Sequence, residues 1–206
     1  MVEAAALPLD YPEAAVVEEE TLAMQTLAVA SDLPVCPLLL GGCCCTHIGA
    51  VEGLAARHGH VGVLWLDAHG DLNTPESSPS GNEWGMPLRM LLDRGTVAAV
   101  DVVLWGARNL DPPEEEFIAA AGIGNEPSTL LDRADAVYVA LDCDVFDPDA
   151  LAVFMPEPGG PSLAELERLL GEVKESGKLA GLGLTGLAPD PANVEKLHRL
   201  TAAIGY

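Results

Sequence analysis

The 206-residue sequence predicts an α/β fold with a mostly parallel, doubly wound sheet. Three observations carry the expectation. Apolar, strand-forming runs alternate with segments of helical character, the order that gives parallel sheets covered on both faces. Two of those runs, VGVLWL and AVYVAL, read as buried strands. The polar clusters GGCCC, DAHGD, GARNLDPPE and DCD stand at the ends of strand candidates, where ligands gather in open α/β sheets.

The elements follow in order. Residues 1–12 read as an irregular lead-in, with Pro8 and Pro12, and 13–30 as an Ala-, Val- and Glu-rich helix. Pro34 and Pro37 bracket a short run, and 38–40 is a strand end entering GGCCC. A helix is expected over 48–58, with Thr46 as cap and Gly59 as stop. Residues 61–66 form a strand, and 71–86 a loop dense in Ser, Pro, Asn and Gly. A short helix at 87–93 closes at Gly95, and 101–105 is a strand. Pro112 and Pro113 open a helix through Ala121, with Glu114, Glu115 and Glu116 in the first turn, where the helix dipole favours acids. A strand at 136–141 precedes a Pro- and Gly-rich loop over 147–161. Ser162 caps a helix to 176, with Glu165 at capping-box spacing. A glycine-containing strand at 179–185 and a helix at 191–203 complete the order. The length suits one domain spanning 1–206.

Composition excludes several classes. Asp and Glu number 32 against 10 Lys and Arg, a formal charge of −22. That balance argues against nucleic-acid and anionic-membrane partners, which need a basic footprint. No apolar run reaches the roughly 18–20 residues that span a bilayer. The acidic N-terminus lacks the basic segment of a signal peptide, so cytoplasmic residence is the expectation. Five cysteines, three of them consecutive, do not read as a disulfide framework.

The chemistry concentrates where two apolar runs end in acids. VGVLWL runs into Asp67, His69 and Asp71, and AVYVAL into Asp142 and Asp144. Alternation along an extended chain points residues i, i+2 and i+4 the same way. The same alternation turns Cys143 into the core. Four carboxylates suit Mn²⁺, Mg²⁺ or Ca²⁺, and the imidazole admits Mn²⁺, Zn²⁺, Fe²⁺ or Ni²⁺. Packed carboxylates repel one another unless cations neutralise them. Two neighbouring divalent ions can activate one hydroxide.

At these residues the sequence resembles the ureohydrolase family of arginase, agmatinase and formimidoylglutamase. The resemblance rests on Gly41–Gly42, on WLDAHGDLNTPESSPSGNEWGMP at 65–87, on LDCDVFDP at 141–148 and on PEPGG at 156–160, in the family's order. It covers about three quarters of the chain, and against the family the sequence reads as trimmed. It implies a three-layer arginase-like fold and a binuclear Mn²⁺ centre. It further implies hydrolysis of a guanidino or amidine C–N bond by a metal-bridging hydroxide. Carried over, Asp67, His69, Asp71, Asp142 and Asp144 are metal ligands. Asn73, Ser80 and Asn82 are substrate-binding positions, as are Asp111 and Glu114; turn chemistry and helix capping explain these five equally simply. Family members form homo-oligomers, which extends here as an expectation.

The sequence departs from the family at several of these places. Cys43 and Cys44 replace an Asp-His pair whose histidine ligates metal. A Cys44 thiolate would favour Zn²⁺ or Fe²⁺ over Mn²⁺; the alternative is a small buried side chain. His47, three residues on, is a candidate replacement ligand. Trp84 stands where the family carries a histidine, and Gly186 where it carries an acid that grips the guanidinium. Val153, Phe154 and Met155 replace a small hydroxyl-bearing loop. The leading expectation is therefore a metallohydrolase with a substrate other than arginine. A second reading is a catalytically degenerate, metal-binding subunit or binding protein, and a third a thiol sensor using Cys43–Cys45.

Overall fold

The computed structural model describes residues 30–206; the expected lead-in and all but the last residue of the 13–30 helix lie outside the described residues. Five strands form one sheet: β1 (Leu38–Leu40), β2 (Gly62–Leu66), β3 (Val102–Trp105), β4 (Val137–Asp142) and β5 (Leu179–Thr185). Their spatial order is β1-β5-β4-β2-β3, and every pairing is parallel. The described helices are α1 (Cys45–His58), α2 (Pro87–Asp93), α3 (Pro112–Ala121), α4 (Pro127–Arg133), α5 (Leu163–Glu175) and α6 (Asn193–Ile204). None of them is long and apolar enough to cross a membrane.

Strand alternation divides the core into two layers. Val63 and Trp65 of β2 pack with Ile48, Val51 and Leu54 of α1 and with Leu88 and Leu91 of α2. Leu64 and Leu66 face the other way, onto Leu130 of α4, Leu166 and Leu170 of α5 and Leu200 of α6. Every residue of β2 and β4 is buried, which is why these two runs carry no polar alternation. Each buried Leu or Val stabilises the fold by roughly 1.5–3 kcal/mol of apolar transfer.

Most boundaries lie within one or two residues of expectation, and four differences have physical causes. First, α1 starts earlier, with Cys44 as N-cap and no side-chain cap bond. Thr46 does not cap; its Oγ1 lies 2.3 Å from where a Cβ on Gly41 would stand, so Gly41 is needed for this contact. Second, α4 was not anticipated. Seven residues are too few to show helical periodicity, although Pro127 at the first turn is a start signal. It packs tightly, since a Cβ on Gly62 would meet Leu130 Cδ1 at 2.7 Å.

Third, the segment after β2 does not continue as a strand. β2 stops at Leu66, and Asp71 adopts φ +52°, the left-handed region. The His69 amide turns back to Asp67 Oδ1 at 2.8 Å, and the Ala68 amide donates to Asp144 Oδ1 at 3.0 Å. The ligand-type side chains therefore converge through a turn, not by alternation along an extended chain. Fourth, Cys143 lies in a short 3-10 turn, Cys143–Val145, and not in extended chain. It is nevertheless fully buried in the α5–α6 layer.

The chain leaves β2 for the edge strand β3 and returns to β4 on the opposite side of β2. The β2–β4 boundary is thus the switch point of the sheet, and a crevice opens there at the carboxyl ends.

Candidate metal centre

The crevice is a cleft of about 470 Å³. β2 delivers Asp67, the following turn His69 and Asp71, and β4 with its 3-10 turn Asp142 and Asp144. The entry to α1 delivers Cys44. All six line the cleft.

Among the described residues two groups have the geometry to hold a cation, and they share one residue. Cys44, Asp67 and Asp142 present ligand atoms within 4.8 Å of one another, and so do Asp67, His69 and Asp144. Asp71 falls outside both groups, and Asp142 groups with Cys44. The cause is the turn at His69 and the left-handed Asp71.

The hydrogen bonds hold the carboxylates in place. Trp65 Nε1 donates to Asp67 Oδ2 at 3.1 Å. The Asp144 amide donates to Asp142 Oδ1 at 2.9 Å, and Thr185 Oγ1 to Asp142 Oδ2 at 3.1 Å. Cys44 Sγ donates to the same Asp142 Oδ2 at 2.9 Å. His69 Nδ1 lies 3.0 Å from Asp144 Oδ2 and 3.5 Å from Asp67 Oδ1.

The electrostatics are those of anions crowded in a dry place. Burial, then the neighbouring charges of Asp142 and Asp144, pushes Asp67 up to about 7 against the bonds from His69. Burial and Asp144 push Asp142 to about 6. Asp71 is raised by burial and by the charges of Asp67 and Asp142. Burial raises the Cys44 thiol, and the acids Asp142, Asp71 and Asp67 raise it further. For His69 burial favours the neutral ring, but bonds to Asp144 and Asp67 outweigh it and hold the ring charged up to about 11.

The donor set fits a divalent ion. Asp71 Oδ2 and His69 Nε2 are buried with no hydrogen-bond partner, a costly condition for polar atoms. A cation would relieve the Asp67–Asp71–Asp142 repulsion and use the unpaired oxygen. Oxygen, imidazole and thiol together admit Mn²⁺, Zn²⁺, Fe²⁺ and Ni²⁺.

His47 does not join either group. It is fully buried, with Nδ1 2.9 Å from Tyr138 Oη and Nε2 3.3 Å from Thr185 Oγ1, and burial drives it down to about 3, a neutral ring. It supports Thr185, which in turn holds Asp142. Gly183 leaves room for this contact, because a Cβ there would meet the His47 ring at 2.6 Å.

The remaining anticipated residues also line the cleft: Asn73, Ser80, Asn82, Trp84, Asp111, Glu114 and Gly186. Asp111 and Glu114 form a capping box at the start of α3. Glu114 spends both oxygens on backbone amides, Oε1 on Leu72 and Oε2 on Asp111, each at 2.9 Å. It thereby props the turn beyond Asp71. Asn73 Nδ2 donates to Asp111 Oδ2 at 2.8 Å. Gly186 has φ +71°, and a Cβ there would stand 2.1 Å from Asp142 Oδ1. No acid fits at that position without displacing Asp142.

Two residues escaped the sequence reading. The Arg108 guanidinium donates to the carbonyls of Gly106, Asp144, Val145, Phe146, Glu157 and Pro158. It ties the Asp144 turn to the PEPGG loop. Glu157 in that loop places Oε1 3.6 Å from His69 Nε2 and accepts from Asn109 Nδ2 at 2.8 Å. Their signals were the positions of Arg108 and Asn109 after β3 and of Glu157 within a quoted motif; sequence does not show that the two loops meet.

A parallel α/β sheet with a carboxylate-rich cleft at its switch point defines the class of this protein as an open α/β protein with a candidate cation site. The arginase family model matches residues 2–206, and the chain belongs to the arginase family. Arginase from Bacillus subtilis (strain 168) is 38% identical over 158 residues, covering 63% of this chain and 53% of that protein. The chain thus spans about half the length of the curated relatives it matches. The solved arginase of Bacillus caldovelox superposes with a TM-score of 0.80 at 30% identity, covering 91% of this chain and 75% of that one. Proclavaminate amidino hydrolase from Streptomyces clavuligerus shares the fold, with a TM-score of 0.75 at 21% identity over 93% of this chain and 71% of that one.

Proposed function

We propose that this protein is a metal-dependent hydrolase that cleaves the C–N bond of a guanidino or amidine compound other than arginine. One observation carries the reading: two cation-fitting groups share Asp67 at the floor of a cleft that also presents an unpaired Asp71 oxygen. Metal-dependent amidino hydrolysis is generic to the family. Asp67, His69, Asp71, Asp142 and Asp144 would hold one or two divalent ions, with Cys44 as a sixth ligand. Mn²⁺ is the first choice, and Zn²⁺, Fe²⁺ or Ni²⁺ follow if the thiolate binds. Such ions supply Lewis-acid polarisation and an activated water nucleophile.

The chain's own residues do the rest. Trp65 and Thr185 fix the oxygens of Asp67 and Asp142. Glu114 holds the turn that carries Asp71. Asn73, Ser80, Asn82 and Asp111 offer polar contacts to a substrate along one wall. We read residues 1–206 as one domain, located in the cytoplasm and assembling as a homo-oligomer.

Gly186 favours a second reading, a catalytically degenerate binding subunit, because glycine supplies no carboxylate to grip a cation at that place. A panel of guanidino, amidine and formimino compounds decides between them. The chain is loaded in turn with Mn²⁺, Zn²⁺, Fe²⁺ or Ni²⁺, and urea, ammonia and formamide release are measured. Turnover that disappears in Asp67→Asn supports the hydrolase; no turnover with any pairing sinks it.

A further inference from the structure

We propose that the cleft takes a cationic amidine carrying an aromatic or bulky apolar substituent, which packs against the Trp84–Phe154 pair. The inference rests on the amidine reading above and names the substrate class for the same site.

The cleft has two unlike walls. Asp67, Asp71, Asp142 and Asp144 form the floor, and Asp111 and Glu114 stand to one side; no Lys or Arg is among the lining residues. Divalent ions offset part of that negative charge, and the remainder selects a cation. A substituent bearing its own carboxylate finds only His69 as a basic group there, and that ring is already paired with Asp144 and Asp67.

The other wall is apolar. Trp84 and Phe154 meet edge to face, with ring centroids 6.1 Å apart and planes at 69°. Met155 adjoins them in the lining. Phe154 is 66% exposed and Met155 44%, although both belong to the cleft. A large apolar side chain left in water at the mouth of a cavity gains on being covered, by roughly 25 cal/mol per Å².

The backbone beneath both rings is anchored before any ligand arrives. Trp84 sits in a 3-10 turn, Glu83–Gly85, whose Gly85 carbonyl accepts from the Asn73 amide at 3.1 Å. The turn leads into buried Met86, Pro87 and Leu88. The Phe154 amide donates to the Gly186 carbonyl at 2.8 Å, and Val153 bridges Leu187. Phe154 is thereby fixed to the residue that abuts Asp142 Oδ1. An aromatic ring entering here can stack on or meet these rings edge-on, and the indole face attracts an adjacent amidinium. An anchored backbone loses little freedom on binding, which favours affinity.

The test is calorimetric titration of the Mn²⁺-loaded full chain with benzamidine, acetamidine, benzamide and L-arginine. Benzamidine is expected to bind at least tenfold tighter than each of the others. Trp84→Ala and Phe154→Ala should each bring benzamidine down to the acetamidine level, with Phe154→Leu between, and thermal melts confirm that each variant is folded. Equal affinity for benzamidine and acetamidine overturns the proposal, as does tighter binding of arginine or of neutral benzamide. So does a Phe154→Ala variant that dissociates an oligomer in sedimentation while binding benzamidine unchanged; the patch would then be a subunit contact. Selective benzamidine binding without hydrolysis of any amidine supports this subsite and removes only the hydrolase assignment.

Discussion

Asp71→Asn should stabilise the metal-free protein and weaken its response to metal. Asp71 is buried, adopts a left-handed backbone and has one oxygen with no partner. A buried unpaired polar group costs about 1–3 kcal/mol, and the charges of Asp67 and Asp142 add to the cost. The amide is neutral and can donate to those acids. In a chain of this size 1 kcal/mol shifts the melting temperature by about 2–4 °C, so about 1–3 kcal/mol of relief should make the variant melt about 2–12 °C higher at pH 8 in EDTA.

The pH dependence has a definite sign. Asp67 and Asp142 titrate at about 7 and about 6, above their usual range near 3.8. A group whose pKa is raised in the folded state supports folding below its unfolded pKa, and that support is lost as pH rises through the folded value. The metal-free protein should therefore lose stability from about pH 4 to about pH 7. Raised His69 acts in the same direction above pH 6.5, because its support fades as pH climbs towards about 11. Bound metal reverses the trend, since ligation requires deprotonated acids. Thermal unfolding at pH 5 and pH 8, with EDTA or Mn²⁺, reads all four conditions. A metal-free Asp71→Asn variant less stable than the parent at pH 8, or one with the parent's full Mn²⁺ response, would refute the reasoning.

Two further variants test the residues that join the loops. Arg108→Lys keeps a charge but not the planar fork and strands several carbonyls, so we expect a loss of about 3 kcal/mol by chemical denaturation, at about 1–3 kcal/mol per unpaired group. Glu157→Ala should weaken Mn²⁺ binding by about 10- to 100-fold in metal titrations, the usual cost of removing a carboxylate that orients a ligating histidine; unchanged affinity would show that Glu157 does not act through His69.

Much of this site was legible along the chain because its parts are local. Buried parallel strands show as unbroken apolar runs, and acids at their ends are visible as spacing. The capping box at Ser162 follows from a three-residue interval. The grouping of the ligands was not legible, because it depends on a turn in which side chains of one strand end accept amides of another. Ala68 bonding to Asp144 is a contact across 76 positions, and no local pattern encodes it.

The sequence by itself determined the α/β class, the family and the identities of the acids at the strand ends, since these rest on composition, period and short spacing. Only the tertiary structure decided that Asp67 is shared by two cation-fitting groups while Asp71 stands apart. It also decided that His47 braces Thr185 and does not replace the missing ligand, and that Gly186 is glycine because Asp142 occupies the space beside it. The physical reason is common to all three. Burial, repulsion between carboxylates and the room left for a Cβ depend on distances between residues far apart in the chain, and those distances exist only after the sheet has brought the ends of β2, β4 and β5 together.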